Sequence, residues 1–163
     1  MRTIFVTLLA SLVLGGAALA QDSGWAGVSA GYPGVSAHVG IADVGLEGLS
    51  VRVNLGYDYV EPTGLALGAD LLYGLPVDTG DIPGALYLGV GGMTIPSTSF
   101  TVHGIAGVEV ALMDLGLDLA DFSLFAEGGV NYGIDVYDTE DGDEGATGVG
   151  FLARAGVNYH FDF

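Results

Sequence analysis

The sequence predicts an all-β fold, a closed up-and-down antiparallel transmembrane β-barrel of eight strands. Apolar and polar residues alternate in eight separate segments, which is the period of a strand with two different faces. Half of the 163 residues are hydrophobic, yet no uninterrupted apolar run after Ala20 is long enough to cross a bilayer as a helix. Closing such a sheet on itself pairs every backbone group and presents one apolar face to lipid.

The first four strands follow the alternation closely. Strand one is predicted over residues 25–32 and strand two over residues 35–42, with a turn at Pro33-Gly34 between them. Strand three, over residues 49–60, is the clearest, because every second residue from Leu49 onwards is apolar. A turn over residues 61–64 leads into strand four over residues 65–73. Trp25 alone does not fit, since the better phase of strand one leaves it on the polar face or before the strand.

The last four strands are separated by less regular segments. A loop over residues 75–83 contains two prolines, and strand five follows over residues 84–91. After an interruption at residues 92–99, strands six, seven and eight are predicted over residues 100–112, 122–134 and 147–163. The segment 113–121 is predicted to be a turn, although its leucines fit either neighbouring strand. No period of 20 to 50 residues repeats, which excludes a solenoid or a propeller.

The first 20 residues are predicted to be a secretory signal peptide that is removed. A positively charged start precedes an apolar core over residues 4–14, and Ala18-Leu19-Ala20 matches an A-x-A cleavage site. Gln21 would then begin the mature chain, and residues 21–163 would form a single domain. The competing interpretation, a membrane-spanning helix, needs about 20 apolar residues and a stop-transfer flank.

Residues 157–163 alternate apolar and polar side chains without a break and stop at Phe163. This tail resembles the closing strand of bacterial outer-membrane β-barrels, in which the terminal aromatic residue is part of the signal read by the insertion machinery. The whole order of elements resembles small barrels of the OmpX and OmpA-transmembrane type. The resemblance implies integration into outer-membrane lipid of a Gram-negative-type cell envelope after removal of the signal peptide. It also implies an insertion signal made of Tyr159, Phe161 and Phe163.

The same resemblance implies that both termini face the periplasm and that the connections after strands one, three, five and seven face outside. Two of those connections are tight turns, which departs from the long outer loops that this family usually carries. Aromatic residues are expected at both lipid–water boundaries. Those expected near the outer strand ends are Tyr57, Tyr59, Phe100, Tyr132 and Phe151, and those near the inner ends are Tyr73, Phe122, Tyr159, Phe161 and Phe163.

The charge is strongly acidic, with 20 Asp and Glu residues against three basic residues and a formal net charge of −17. A chain of this charge is repelled by polyanions, which excludes a nucleic-acid partner. The sequence contains no cysteine, so no disulfide framework can form. The pattern specifies no oligomeric state.

Both arginines of the mature chain lie on the polar phase of their strands. A hairpin centred on the acidic loop places Arg154 beside Glu127. A charged group inside a narrow barrel needs a partner, because desolvating it alone costs several kcal/mol. These ion pairs would either plug the lumen and fix strand register or form a gate in an ion pathway. The predicted lumen ion-pair cluster groups Arg154 with Glu127 and Glu109, and Arg52 with Asp58 or Asp70.

An acidic loop follows strand seven and packs six carboxylates into ten residues. Ca²⁺ takes six to eight oxygen ligands, so a bound cation is chemically reasonable. The spacing departs from the calcium-loop motif, because Tyr137 and Thr139 stand where acids are required. No specific metal site and no cofactor are therefore expected, and loosely bound Ca²⁺ stays an alternative. The loop carboxylates are Asp135, Asp138, Glu140, Asp141, Asp143 and Glu144.

The three histidines, His38, His103 and His160, lie on lumen phases of different strands. Neither the spacing of a helix-borne zinc site nor an adjacent Ser or Cys nucleophile is evident. A P-loop is impossible because the chain contains no lysine. We therefore expect no enzymatic activity.

Three functions are compatible with these patterns. The first is a non-catalytic outer-membrane barrel with a side-chain-filled lumen and a structural or surface-interaction role. The second is a soluble periplasmic barrel of lipocalin type, whose apolar residues point inward around a small hydrophobic ligand. A narrow porin-like channel is the third. The first two differ in which face meets water, since in the soluble barrel Arg52 and Glu127 would lie outside.

Overall fold

The computed structural model describes residues 23–60, 63–77, 84–96, 99–135 and 148–163. These residues form a closed barrel in which each strand is antiparallel to the next and the last pairs with the first. The predicted closed eight-stranded antiparallel barrel is confirmed. The strands are β1 (Ser23–Tyr32), β2 (Gly34–Ile41), β3 (Leu49–Asp58), β4 (Gly64–Gly74), β5 (Ala85–Ile95), β6 (Ser99–Ala111), β7 (Phe122–Asp135) and β8 (Gly148–Asp162).

A short 3₁₀ helix, Leu112–Leu115, stands between β6 and β7. No helix in the described part of the chain is long and apolar enough to cross a membrane. The predicted signal peptide over residues 1–20 lies outside the described residues.

The predicted interruption at residues 92–99 is wrong. The fifth strand continues to Ile95, and the sixth begins at Ser99. Adjacent glycines at positions 91 and 92 break the apolar alternation, so the sequence signal ends there. The backbone nevertheless stays paired, with Gly91 opposite Asp70 and Gly92 opposite Ala69. Likewise, Leu112 begins the 3₁₀ helix rather than ending strand six.

The two faces of the barrel differ sharply in polarity. Side chains of successive strand residues point alternately outward and inward. Large apolar residues occupy the outward positions, and Val90 and Val130 at mid-strand are 62% and 64% exposed. Among the described side chains, the outward positions of the eight strands carry apolar residues, glycine and Thr94, and no charged group. The inward positions hold the buried polar and charged residues, including Arg52 and Asp70.

Large side chains fill the lumen by lying over glycines of the neighbouring strand. The ring of Tyr87 occupies the space into which a Cβ on Gly107 would project, and Trp25 does the same at Gly40. An eight-stranded barrel is only just wide enough for its side chains, so large residues must alternate with small ones. Gly107 and Gly40 therefore serve packing. Trp25 is buried inside the barrel, which explains why it did not fit the outward phase.

Gly107→Ala is expected to lower the free energy of unfolding by about 1–3 kcal/mol, because the new methyl group overlaps the Tyr87 ring. The matched control is Gly104→Ala on the same strand, where an added Cβ comes no closer than 4.0 Å to another atom. The control is expected to be neutral or stabilising by up to about 1 kcal/mol. Urea titration in one lipid system measures both, and equal effects would contradict the packing argument.

The barrel has two rims. The terminus rim is the end of the barrel that contains Ser23 and Phe163. The hairpin rim is the opposite end, which contains the turn at Pro33 and Asp58, the last residue of β3. Aromatic rings contact one another at both. At the hairpin rim, Tyr32 stacks on Phe151 with ring centroids 5.0 Å apart. The aromatic pairs of the terminus rim are Phe122 with Tyr159, Tyr159 with Phe161, and Phe161 with Phe163.

Candidate functional site

Four charged side chains meet in the middle of the lumen, and we call them the central cluster: Arg52, Asp70, Glu127 and Arg154. Arg52 donates through Nε to Asp70 Oδ2 at 2.8 Å and through Nη1 to Glu127 Oε1 at 2.5 Å. Arg154 donates through Nε to Glu127 Oε2 at 2.6 Å, and its Nη2 lies 3.5 Å from Asp70 Oδ2. Two guanidinium groups thus bridge two carboxylates, and the four formal charges cancel.

Strand register brings these residues together in two steps. Arg52 stands directly opposite Asp70 across the β3–β4 ladder, and Glu127 stands opposite Arg154 across the β7–β8 ladder. These two ladders lie on opposite sides of the ring of eight strands. The bonds from Arg52 to Glu127 and from Arg154 to Asp70 therefore cross the lumen and brace one wall against the other.

The central cluster is almost completely removed from solvent, with Arg52, Asp70 and Glu127 only 3%, 2% and 5% exposed. A buried ion pair is tolerated only when further hydrogen bonds satisfy the remaining donors and acceptors. Each of the four carboxylate oxygen atoms has a polar partner. Besides the arginines, the partners are Tyr87 Oη, which donates to Glu127 at 2.7 Å, Asn54 Nδ2, which donates to Asp70 at 2.8 Å, and His103 Nε2, which lies 2.7 Å from Asp70.

The structure places Arg154 against Glu127, and Arg52 against Asp70, in the pairings suggested by the sequence. Glu109 requires a correction, because it does not contact Arg154. Gly107 rather than Glu109 stands opposite Glu127 across the β6–β7 ladder. The carboxylate of Glu109 therefore lies one inward position nearer the terminus rim.

Asp58, the alternative partner of Arg52, also lies elsewhere. It ends β3 at the hairpin rim, opposite Gly34 and Gly64, six residues along the strand from Arg52. Its side chain is buried, and no ion pair joins it to another residue that the structure describes. Asp70 rather than Asp58 pairs with Arg52, because Asp70 faces Arg52 directly across the β3–β4 ladder.

A second polar group near the terminus rim was missed from the sequence. Ser123 Oγ lies 2.9 Å from His160 Nε2, although no serine next to a histidine was expected. The pairing of Ser123 with Asn158, two residues before His160, brings them together. Glu109 completes the group by accepting hydrogen bonds from Ser123 Oγ and from Asn158 Nδ2, the latter at 2.7 Å.

This group lacks the geometry of a nucleophilic triad. In a triad, one ring nitrogen of the histidine faces the hydroxyl and the other is held by the carboxylate. Here Ser123 and Glu109 both face His160 Nε2, with Glu109 Oε1 at 3.1 Å. Ser123 donates its proton to Glu109, and its side chain is buried in the lumen.

The remaining predicted residues have simpler positions. His38 Nε2 lies 2.7 Å from Asn158 Oδ1 and its ring packs against Phe125, as an interior histidine with a polar partner. In the described part of the chain, no three His, Cys, Asp or Glu side chains are grouped to hold a metal ion. The side chain of Asp135 and the loop residues Asp138, Glu140, Asp141, Asp143 and Glu144 lie outside the described residues.

Comparison with known proteins gives one similarity of fold. No family model and no curated protein matches the sequence. A solved structure to which the chain is similar is the crystal structure of the N-terminal β-barrel domain of Pseudomonas aeruginosa OprF. The two are 16% identical with a TM-score of 0.47, over 86% of this chain and 98% of that chain.

Proposed function

We propose that the protein is an integral outer-membrane barrel with a plugged lumen and a structural or surface-interaction role, without catalysis. The observation that carries the proposal is the polarity of the two faces. The outward side chains form an uncharged apolar belt around the barrel, and the charged side chains of the strands point to its axis. Soluble monomers rarely expose contiguous apolar patches of this extent, whereas a membrane barrel requires them.

The height of the belt fits a bilayer. On β8, the outward positions from Phe151 to Phe161 span ten residue steps, or about 33 Å along the strand at about 3.3 Å per residue. A strand tilt of about 45° reduces this to about 23 Å along the barrel axis, close to the apolar band of about 25 Å in outer-membrane barrels. Aromatic rings at both rims match the girdles that such barrels place at the lipid–water boundaries.

The contents of the lumen support a plug over an open pore. The central cluster spans the barrel from the β3–β4 wall to the β7–β8 wall, and its hydrogen bonds join both sides. Tyr87, Ile105, Leu152 and Phe125 are also buried inside. A soluble lipocalin-type carrier fits less well, because Arg52 and Asp70 occupy the interior where a hydrophobic ligand would need apolar walls.

The proposal includes two partners and one exposed segment. Outer-membrane lipid would cover the apolar belt. The barrel-insertion machinery would recognise the aromatic tail, in which Tyr159 and Phe163 are exposed. The acidic loop would be displayed outside the cell, where loosely bound Ca²⁺ or other cations neutralise part of its charge.

Cell fractionation combined with gel mobility tests this function. We expect the protein to sediment with the outer membrane, to resist carbonate extraction, and to migrate differently in unheated and boiled samples. In planar bilayers the purified barrel is expected to give no stable conductance steps, because the central cluster fills the lumen. A freely soluble product, or a regular single-channel conductance, would contradict the proposal.

A further inference from the structure

A cavity of about 40 Å³ lies in the lumen between the central cluster and the hairpin rim. Asn54 and Arg154 line its inner end, and Asp58 and the turn at Pro33 line its outer end. The wall between Asn54 and Asp58 contains Gly56, where an added Cβ would lie 2.7 Å from the carbonyl oxygen of Val35, so no side chain narrows the cavity from this position. The cavity therefore connects the rim to the buried charges.

Asn54 lines this cavity and carries an unpaired acceptor. Its side chain is only 5% exposed, and Nδ2 donates to Asp70 Oδ2 at 2.8 Å, which fixes the orientation of the amide. No donor among the described residues lies within hydrogen-bonding distance of Oδ1. A buried carbonyl oxygen without a donor is costly, and such groups in native proteins are commonly satisfied by ordered water. Because Asn54 lines the cavity, a molecule held there can supply the missing donor.

The dimensions of the cavity indicate how many molecules it holds. Asn54 and Asp58 are four residues apart on β3, or about 13 Å, which is too far for one ion to contact both side chains. Three water molecules linked by hydrogen bonds of about 2.8 Å span about 11 Å between two acceptors. One water needs about 10–15 Å³ of such volume, so about three fit. The polar wall residues that can hold them are Ser29, Ser36, Thr101 and Asn131.

We propose that this cavity holds a file of about three ordered water molecules running from Asp58 to Asn54. The file brings solvent from the hairpin rim to the buried pair of His103 and Asp70, since His103 also lines the cavity. It ends there, because the central cluster occupies the lumen beyond. Water and protons then reach His103 from one side of the barrel, while ions are stopped. The file does not depend on where the barrel resides, so it can fail independently of the proposed function.

NMR on the folded protein in lipid nanodiscs tests the file. The experiment measures magnetisation transfer from water to the side-chain amide of Asn54. A clear transfer signal is expected in the wild type. In Thr101→Leu the signal is expected to fall by about threefold, because the larger side chain takes the room of most of the file. The matched control is Val102→Leu, an outward position on the same strand, where the signal should not change.

The proposal is overturned if the wild type gives no transfer to Asn54, or if both variants lose the signal equally. A high-resolution crystal structure of the wild type provides a second measurement that needs no variant. Water density within hydrogen-bonding distance of Asn54 Oδ1, continued towards Asp58, would support the file. An empty cavity there would overturn it.

Discussion

Glu127→Ala is expected to lower the free energy of unfolding by about 3–5 kcal/mol, the usual cost of removing one partner of a buried ion pair. Glu127 accepts hydrogen bonds from Arg52, Arg154 and Tyr87, and it alone joins the two arginines to the β7 wall. Its loss leaves two positive charges against one negative charge, because both guanidinium groups then face only Asp70. Arg52 is only 3% exposed, so its guanidinium group loses a charged partner without gaining full solvation.

Urea unfolding in lipid, followed by the fluorescence of the single tryptophan, measures this effect. Trp25 is a suitable probe because it is buried in the lumen and becomes exposed on unfolding. Glu47→Ala in the β2–β3 connection removes an exposed carboxylate and should change stability by about 0.5 kcal/mol or less. A similar small change for Glu127→Ala would show that the central cluster contributes little.

A double variant separates charge balance from lost contacts. Glu127→Ala combined with Arg154→Ala removes one charge of each sign, and leaves Arg52 paired with Asp70 at 2.7 Å. We expect the double variant to be less destabilised than the sum of the two single variants, since contacting residues in one network are not additive. Additive effects would argue that the two side chains do not interact.

The sequence predicts the two faces of the barrel because side-chain direction in a strand has a period of two residues. That period alone assigns Arg52 and Arg154 to the lumen. It also predicts their nearest partners, because residues opposite each other in adjacent strands follow from the position of the turn. Asp70 and Glu127 are such cross-strand partners.

Contacts across the lumen could not be predicted in this way. The bonds between Arg52 and Glu127 depend on the stagger and tilt of all eight strands, and alternation within one strand carries no information on either quantity. Ser123 beside His160 is a different case, because the hairpin register that pairs Glu127 with Arg154 also pairs Ser123 with Asn158, two residues before His160. Glu109 was misplaced because alternation does not specify the register between β6 and β7, and a shift of two residues keeps the side chain on the same face.

Val90→Arg is expected to lower the free energy of unfolding in a lipid bilayer by about 2–4 kcal/mol, the cost of arginine at the midplane of a membrane barrel. Val90 lies at the centre of β5 and pairs with Leu71 on the neighbouring strand, so the new charge would face hydrocarbon far from either boundary. The control is Leu65→Arg near the hairpin rim, where the expected cost is only about 0–1 kcal/mol.

The two positions are 62% and 57% exposed, so loss of contacts within the protein cannot explain a difference between them. Depth in the membrane is what distinguishes them. If water rather than lipid surrounded the barrel, both arginines would be solvated equally well and each would change stability by about 0.5 kcal/mol or less. Unfolding both variants in the same vesicles measures that difference, and equal values would contradict the lipid-facing assignment of the apolar belt.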